Sequence, residues 1–383
     1  MKYILPTLLL FFFSTVSCKS IKQITVEKPI ETASLEYLDT YTIPNNFQFM
    51  QTTVGGLSSI DYDVKKDQFY LISDDRSAIN PARFYTATIA IKNNKIDTVA
   101  FISRAFLQDN KGKTYPSAKT DPTQTPDPES MRYHPGINQL VWSSEGERSI
   151  SPKESILINP AVYFIDTNGA WKDSLQMPAN LYMSLIEKGP RQNGVLEGMS
   201  YADQYRTLML NVEEPLQEDG PRADLQPNKA MIRFFAFDTK TKKCIKQFAY
   251  ELDPVAHQPN PSNGFIVNGV PEFLWIGNNQ LLVLERSFST GRLPCTIKIY
   301  LADYGAASDV TNIATLKDTA LYQPMKKKLL MNMDQLGIFT DNIEGISLGP
   351  LLPNGNRTVL LVADNNFSPL QRSQIILMGL KTK

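Results

Sequence analysis

Histidine and cysteine are scarce in this 383-residue sequence, which has two of the first and three of the second, and neither sign of charge prevails: Lys plus Arg and Asp plus Glu each total 39. Each shortage excludes a class of function. His134 and His257 with Cys18, Cys244 and Cys295 cannot furnish His-rich zinc sites or Cys-Cys-His-His clusters, so any metal has to be held by oxygen. Without net charge or a long basic run, the chain projects no field toward nucleic acid, and no nucleic-acid partner is expected. The apolar run Ile4 to Phe13 is too short to span a bilayer. What is present, 42% apolar and 20% charged side chains, is the composition of a globular chain rather than of a disordered tail.

The run Ile4 to Phe13 follows Lys2 and ends in Ser14-Thr15-Val16-Ser17-Cys18, a signal-peptide pattern. Small residues directly before a cysteine resemble the lipobox of bacterial lipoproteins, although Thr15 stands where leucine is usual. On that reading residues 1–18 are a lipoprotein signal peptide and Cys18 is lipidated, residues 19–33 are a flexible tether, and residues 34–383 form one domain. The alternative is an ordinary secretory signal in which Cys18 is incidental. Both export the protein, and the first places it in the bacterial cell envelope, anchored at the outer membrane or the periplasmic face. Cys244 and Cys295 lie in strand-like runs and are open to two readings, a disulfide or buried free thiols.

The chain repeats itself five times. The segments Val54-Gly55-Gly56-Leu57-Ser58, Pro128-Glu129-Ser130-Met131-Arg132, Leu196-Glu197-Gly198-Met199-Ser200, Pro271-Glu272-Phe273-Leu274-Trp275 and Ile343-Glu344-Gly345-Ile346-Ser347 each open an apolar strand. A turn and a second apolar strand follow each, ending in acids or amides: Asp74-Asp75, Glu145, Asn211 to Glu214, Glu285 and Asp364-Asn365. From Gly56 to Glu129, Glu197, Glu272 and Glu344 the steps are 73, 68, 75 and 72 residues. Two further strands complete a copy, clearest at Met231 to Phe237 and Cys244 to Leu252. Four antiparallel strands per unit make a propeller blade. The expected fold is therefore an all-β propeller of five four-stranded blades, six being the alternative and a pair of packed β-sandwiches the plainer architecture. The last copy has three strands, so the orphan strand Leu35 to Ile43 should close the ring.

In such a blade the start of strand 1 and the end of strand 2 lie on one face, where the motif acids should converge. Turns expected on the opposite face are tight (Asn93-Asn94, Asn168-Gly169, Asn278-Asn279), whereas connections on the acidic face are long, a usual setting for a binding site. Short helices are expected in two of these connections, Leu181 to Lys188 and Lys326 to Leu336, each stopped by glycine. If Glu129, Glu197, Glu272 and Glu344 point to the axis with Asp74, Glu145, Glu213, Glu285 and Asp364 nearby, their repulsion needs a positive partner. Oxygen donors without His or Cys suit Ca²⁺ or, less well, Mg²⁺, with Glu129, Glu197, Glu344, Glu145, Glu213 and Asp364 as candidate ligands. The competing answer is a purely structural set of pairs with Arg76, Arg132 and Arg286. The same three arginines are the candidates for binding a phosphate-like substrate, and Arg148, Arg191, Arg292 and Arg372 in or near mouth loops would extend the surface. His134 falls on the tight-turn face, so His257, in a long mouth loop, is the one catalytic candidate among the histidines. There is no Gly-x-Ser-x-Gly elbow.

The segments Gly55 to Tyr62, Phe69 to Arg76, Asp127 to Arg132, Leu196 to Ser200 and Asn342 to Ser347 resemble the phytase-like family with esterase-like activity. The resemblance covers nearly all of the mature chain. It implies a β-propeller related to the alkaline phytases and hence a calcium-dependent phosphoesterase or esterase acting on small molecules, expected here as a monomer. It assigns no individual catalytic residue. The alternative from another class is a non-catalytic surface propeller that binds a protein or glycan ligand. Gly55 replaces the glutamate in the first copy and Phe273 the glycine in the fourth, so the acidic ring should be interrupted or unequal.

Overall fold

The computed structural model describes residues 32–153 and 155–382. Cys18, the signal peptide and most of the proposed tether lie outside the described residues. The repeat folds as five four-stranded antiparallel sheets, accompanied by two short hairpins. Blade 1 comprises Leu57–Asp63, Gln68–Ser73, Arg83–Lys92 and Lys95–Phe106, and blade 2 comprises Pro128–His134, Gln139–Ser144, Ala161–Asp166 and Trp171–Ser174. Blade 3 is built from Leu196–Ala202, Thr207–Val212, Met231–Asp238 and Cys244–Glu251, and blade 4 from Ile266–Gly277, Gln280–Ser289, Thr296–Asp303 and Lys326–Asn332. Blade 5 takes Asn342–Leu351, Arg357–Asp364 and Ser373–Thr382 from the end of the chain and its outer strand, Thr32–Ile43, from the beginning. That strand pairs antiparallel with Ser373–Thr382, placing Ile43 against Ser373. The five innermost strands neighbour one another in ring order, with that of blade 5 against that of blade 1.

Burial explains the strand patterns. A second strand is covered by neighbouring blades on both faces, so it reads as an unbroken apolar run: Phe69, Leu71 and Ile72 are fully buried, as are Leu281 to Leu284. The core accordingly lies between blades. One cluster joins blades 4 and 5 through Leu282, Ile299, Ile346 and Met378, and another joins blades 5 and 1 through Leu377, Val362, Ile60 and Leu71. On the tight-turn side, Asn93-Asn94 and Asn278-Asn279 have positive φ at both positions, as a two-residue hairpin turn requires. His134 is packed on Tyr201 and Tyr205. Cys244 and Cys295 are free thiols.

Neither expected α-helix forms. Lys326–Asn332 is the outer strand of blade 4, paired with Thr296–Asp303; only Met333–Leu336 turns, as a 3₁₀ segment capped by Asn332 and ended by Gly337 at φ 67°. The open edge of the neighbouring strand, and the backbone hydrogen bonds it offers, outweighs the weak helical period of the lysine run. Only Ala179–Leu181 is 3₁₀ in the other connection, and residues 182–188 are irregular.

On the axis one ion pair reaches all five blades. Arg132 of blade 2 meets Glu272 of blade 4 at 2.6 Å, both side chains being almost wholly buried. Arg132 Nη1 also donates to Ser59 Oγ and Ile60 O of blade 1 at 2.9 and 3.0 Å, and Nη2 to Ile346 O of blade 5 at 3.3 Å. Glu272 accepts from Ser130 Oγ at 2.7 Å and from the Met199 amide of blade 3 at 2.6 Å. Removing one partner of such a pair leaves the other charge buried and unanswered, at about 3–5 kcal/mol. Arg132→Leu should therefore lower the unfolding free energy from denaturant titration by that amount, and the double variant Arg132→Leu/Glu272→Leu should lose less than the single one. A single-variant loss within about 0.5 kcal/mol, the range of ordinary surface changes, would show that the pair carries no such role.

Candidate functional site

Every blade has the same irregularity where its repeat motif lies. The register between first and second strands slips between Leu57 and Ser59, Pro128 and Met131, Leu196 and Met199, Gly269 and Glu272, and Ile343 and Gly345. A bulge takes a residue out of the ladder and re-aims its side chain, which is how Glu129, Glu197 and Glu344 leave the strand pleat, whereas Glu272 stays paired opposite Leu284. The glycine that follows is a matter of space: a Cβ on Gly198 would stand 2.2 Å from Asn211 Oδ1, and one on Gly345 would be 2.9 Å from Ser59 Cα. Blade 1 has no acid at this point because Asn365 fills it. Asn365 Oδ1 accepts from the Gly56 amide at 3.0 Å, and a Cβ on Gly55 would come within 2.8 Å of the same atom.

The long-connection face opens into a cavity of about 790 Å³. Of the residues expected there, Glu129, Glu145, Glu197, Glu213, Glu344, Arg76 and Arg286 line it, as do Asp74 and Arg292. Asp364 is buried just behind Glu344, which raises its pKa. Glu272 and Arg132 are not brought to the mouth, since each is committed to the other on the axis. Glu285 is held by Lys327, Tyr250 Oη and Asn268 Nδ2 and also stays out of the cavity. His257 lies outside the lining, its Nε2 3.0 Å from Asp334 Oδ2. Arg148 and Arg191 cap backbone carbonyls of neighbouring loops, and Arg372 stacks on Phe339.

Three acids escape the sequence reading, one of them Asp341, which lines the cavity directly before Asn342. Asp127 lines the cavity two residues before Glu129, and Glu147 comes in on the hairpin Glu147–Ile150/Ser155–Ile158 to meet Arg76 at 2.5 Å. A signal for Asp127 exists: Asn342 holds the equivalent place before Glu344 and also lines the cavity. Nothing local marks Glu147, whose role depends on how the hairpin folds over.

The charges do not balance. Arg286 divides its fork between Glu213 at 2.5 Å and Glu344 with Asn342, and Arg76 lies between Glu147 and Asp127, the latter at 3.5 Å. Arg292 turns to Asp334 at 3.0 Å. Among the described residues this leaves Asp74, Glu129, Glu145, Glu197 and Asp341 of the lining without an ion-pair partner, Asp341 being hydrogen-bonded by Gln371 and the Arg372 amide. Burial, reinforced by mutual repulsion, pushes Glu129, Glu197 and Asp74 well above the ordinary carboxylate range. Burial and Asp127 push Glu145 up to about 8, and burial, partly offset by Arg76, pushes Asp127 up to about 6. Burial works against the Arg286 cation, but Glu213, Glu344 and Glu197 outweigh it and raise its pKa.

Two overlapping triads have the spacing to hold a cation. Oxygens of Glu129, Glu145 and Glu197 lie within 4.8 Å of one another, and so do those of Asp74, Asp127 and Glu129. The donors are all carboxylate oxygens, as hard cations require. The residues fit a metal ion.

A family model described as the phytase-like family, "esterase-like activity of phytase", matches residues 52–367, well over half of the chain. No curated protein matches it. Among solved structures it is similar to a bifunctional GH43-CE protein of Bacteroides eggerthii (12% identity, TM-score 0.42, 88% of this chain and 34% of that one), so it spans about a third of that protein's length. It is also similar to a thermostable family-43 glycoside hydrolase (11% identity, TM-score 0.49, 90% and 93%) and to the Pseudomonas aeruginosa periplasmic gluconolactonase PpgL (10% identity, TM-score 0.37, 87% and 90%). At these scores the likenesses carry no argument about activity.

A carboxylate whose pKa is raised by folding keeps its proton in the native state after the unfolded chain has released it. Native stability is then lost as pH rises from the ordinary carboxylate range through the raised values, here about 6 for Asp127 and about 8 for Glu145. In chelator, the thermal midpoint should fall between about pH 5 and about pH 8, and Glu145→Gln should flatten that fall. A flat wild-type profile in scanning calorimetry would show that the protein itself already neutralises the cluster.

Proposed function

The chain belongs to the phytase-like family with esterase-like activity, and from that premise we propose that it is a hydrolase of phosphoesters or related esters, working at the acidic mouth with a divalent cation, Ca²⁺ before others. The observation that carries this reading is the uncompensated triad: Glu129, Glu145 and Glu197 come from two blades, lie buried with ligand atoms within 4.8 Å, and have no arginine or lysine paired to them among the described residues. A wholly structural ring of carboxylate and arginine pairs would have closed that gap. Glu129, Glu145 and Glu197 would hold the ion, with Glu213, Glu344 and Asp364 behind them as its outer negative shell. When bound, such an ion supplies polarisation of the phosphoryl oxygens and acidification of water.

The remaining groups have separable tasks. Arg76 and Arg292 line the same cavity and, although paired with Glu147 and Asp127 and with Asp334, remain 31% and 33% exposed and within reach of substrate oxyanions, whereas Arg286, 13% exposed, is enclosed between Glu213 and Glu344. Asp127, close to neutral in its proton affinity and beside Arg76, takes the proton of the attacking water. The water oxygen bonds to phosphorus, the ester P–O bond breaks, and the proton passes to the departing alkoxide oxygen. His257, paired with Asp334 outside the lining, has no part in this scheme. The proposal extends to location: the segment Ile4 to Cys18 supports export and a lipid anchor at Cys18 in the bacterial cell envelope.

The deciding experiment assays the purified protein on a generic phosphomonoester and on phytate, with added Ca²⁺ and with chelator. Turnover should require the ion, Glu197→Gln should abolish the response to it, and Asp127→Asn should lower kcat by about 10²–10⁴-fold. No turnover under any condition, with a thermal midpoint that chelator does not change, would overturn the hydrolase and favour a propeller that only binds a protein or glycan.

A further inference from the structure

One side of the cavity is largely apolar, with Arg292 the charged residue among its lining. Phe265, Phe288, Leu293 and Leu370 line it alongside the acids, and three of them are open to solvent, Phe265 at 58%, Leu293 at 75% and Leu370 at 79% exposure. The wall is built from three loops that are stapled together. Thr290 donates through its amide and its hydroxyl to Phe265 O at 2.9 and 3.0 Å, and the Phe265 and Phe288 rings stack with centroids 6.2 Å apart. The Cys295 amide then bonds Thr340 O at 3.0 Å, and the adjacent Asp341 receives Gln371 Nε2 at 3.2 Å and the Arg372 amide at 2.8 Å, which fixes the loop carrying Leu370.

Isolated exposed apolar side chains are ordinary, but a fixed group of them facing into the same cavity as a buried carboxylate floor is a recognition surface. A ligand that fills this cavity meets acids and arginines at one end and hydrocarbon at the other. A compact polyanion satisfies only the first and leaves the wall wet. We infer that the substrate is amphiphilic, a phosphate ester whose alcohol part is an alkyl chain of several carbons or an aryl group, seated on Phe265, Leu293 and Leu370. This rests on the hydrolase reading above and names the substrate class for that site; the bond broken is the same P–O bond, with the released alcohol carrying the hydrocarbon.

The test compares methyl phosphate with hexyl phosphate as substrates, and methylphosphonate with hexylphosphonate as non-hydrolysable ligands in calorimetry, all with Ca²⁺-loaded protein. Each buried methylene contributes enough that the hexyl compounds should exceed the methyl ones by about tenfold or more, in kcat/KM and in affinity. In the variant Phe265→Ser/Leu293→Ser/Leu370→Ser, whose changes sit at exposed positions, the hexyl-to-methyl ratio should fall toward one. Chain-length-dependent phosphonate binding without turnover of any ester would sink the hydrolase and leave the apolar wall standing. A ratio near one in the wild type, a ratio the variant leaves unaltered, or no phosphonate binding at all would overturn the inference.

Discussion

The Arg132–Glu272 pair is the constraint on which the mouth depends. Bringing acids from several blades within a few ångströms of each other is repulsive, and the cavity's own pairs, Arg286 with Glu213 and Glu344 and Arg76 with Asp127 and Glu147, leave the repulsion among Glu129, Glu145 and Glu197 unopposed. The resistance comes from below, where one guanidinium and one carboxylate bond directly to atoms of all five innermost strands. The hub draws its acid from the same repeat that furnishes the mouth. Glu272 is the blade 4 member of the glutamate series, turned inward to its arginine, and the ring of mouth acids is shorter by that residue.

Much of the fold was legible because a propeller writes its architecture as a repeat. Five motifs at nearly constant spacing gave five blades, and a last copy one strand short pointed to closure by the strand that ends at Ile43, as the pairing with Ser373–Thr382 confirms. The helix expected from Lys326 fails because a local period says nothing about a free strand edge waiting nearby, whereas the segment after Leu181 finds no strand partner and stays irregular. Lys326–Asn332 has a partner in Thr296–Asp303, and the partner decides.

The site was legible as a location but not as a set of pairs. That Glu129, Glu145, Glu197, Glu213 and Glu344 share a cavity follows from which end of which strand they occupy. Which arginine meets which acid depends on side-chain reach across blades, and Arg132, Arg286 and Arg76 end in three unlike settings. Asp127 and Glu147 show the two ways a residue is missed, the first overlooked within a motif and the second carried in by a hairpin with no sequence mark of its destination.

The direction of the closing strand has a further consequence. Ser373 follows the loop that carries Leu370 and Gln371 at the mouth, and Ile43 lies against Ser373, so Thr32 begins at the opposite end of the ring. The polypeptide thus enters and leaves through the floor of the propeller. Whatever is attached at either terminus therefore meets the ring at the end away from the acidic opening and leaves that opening unobstructed.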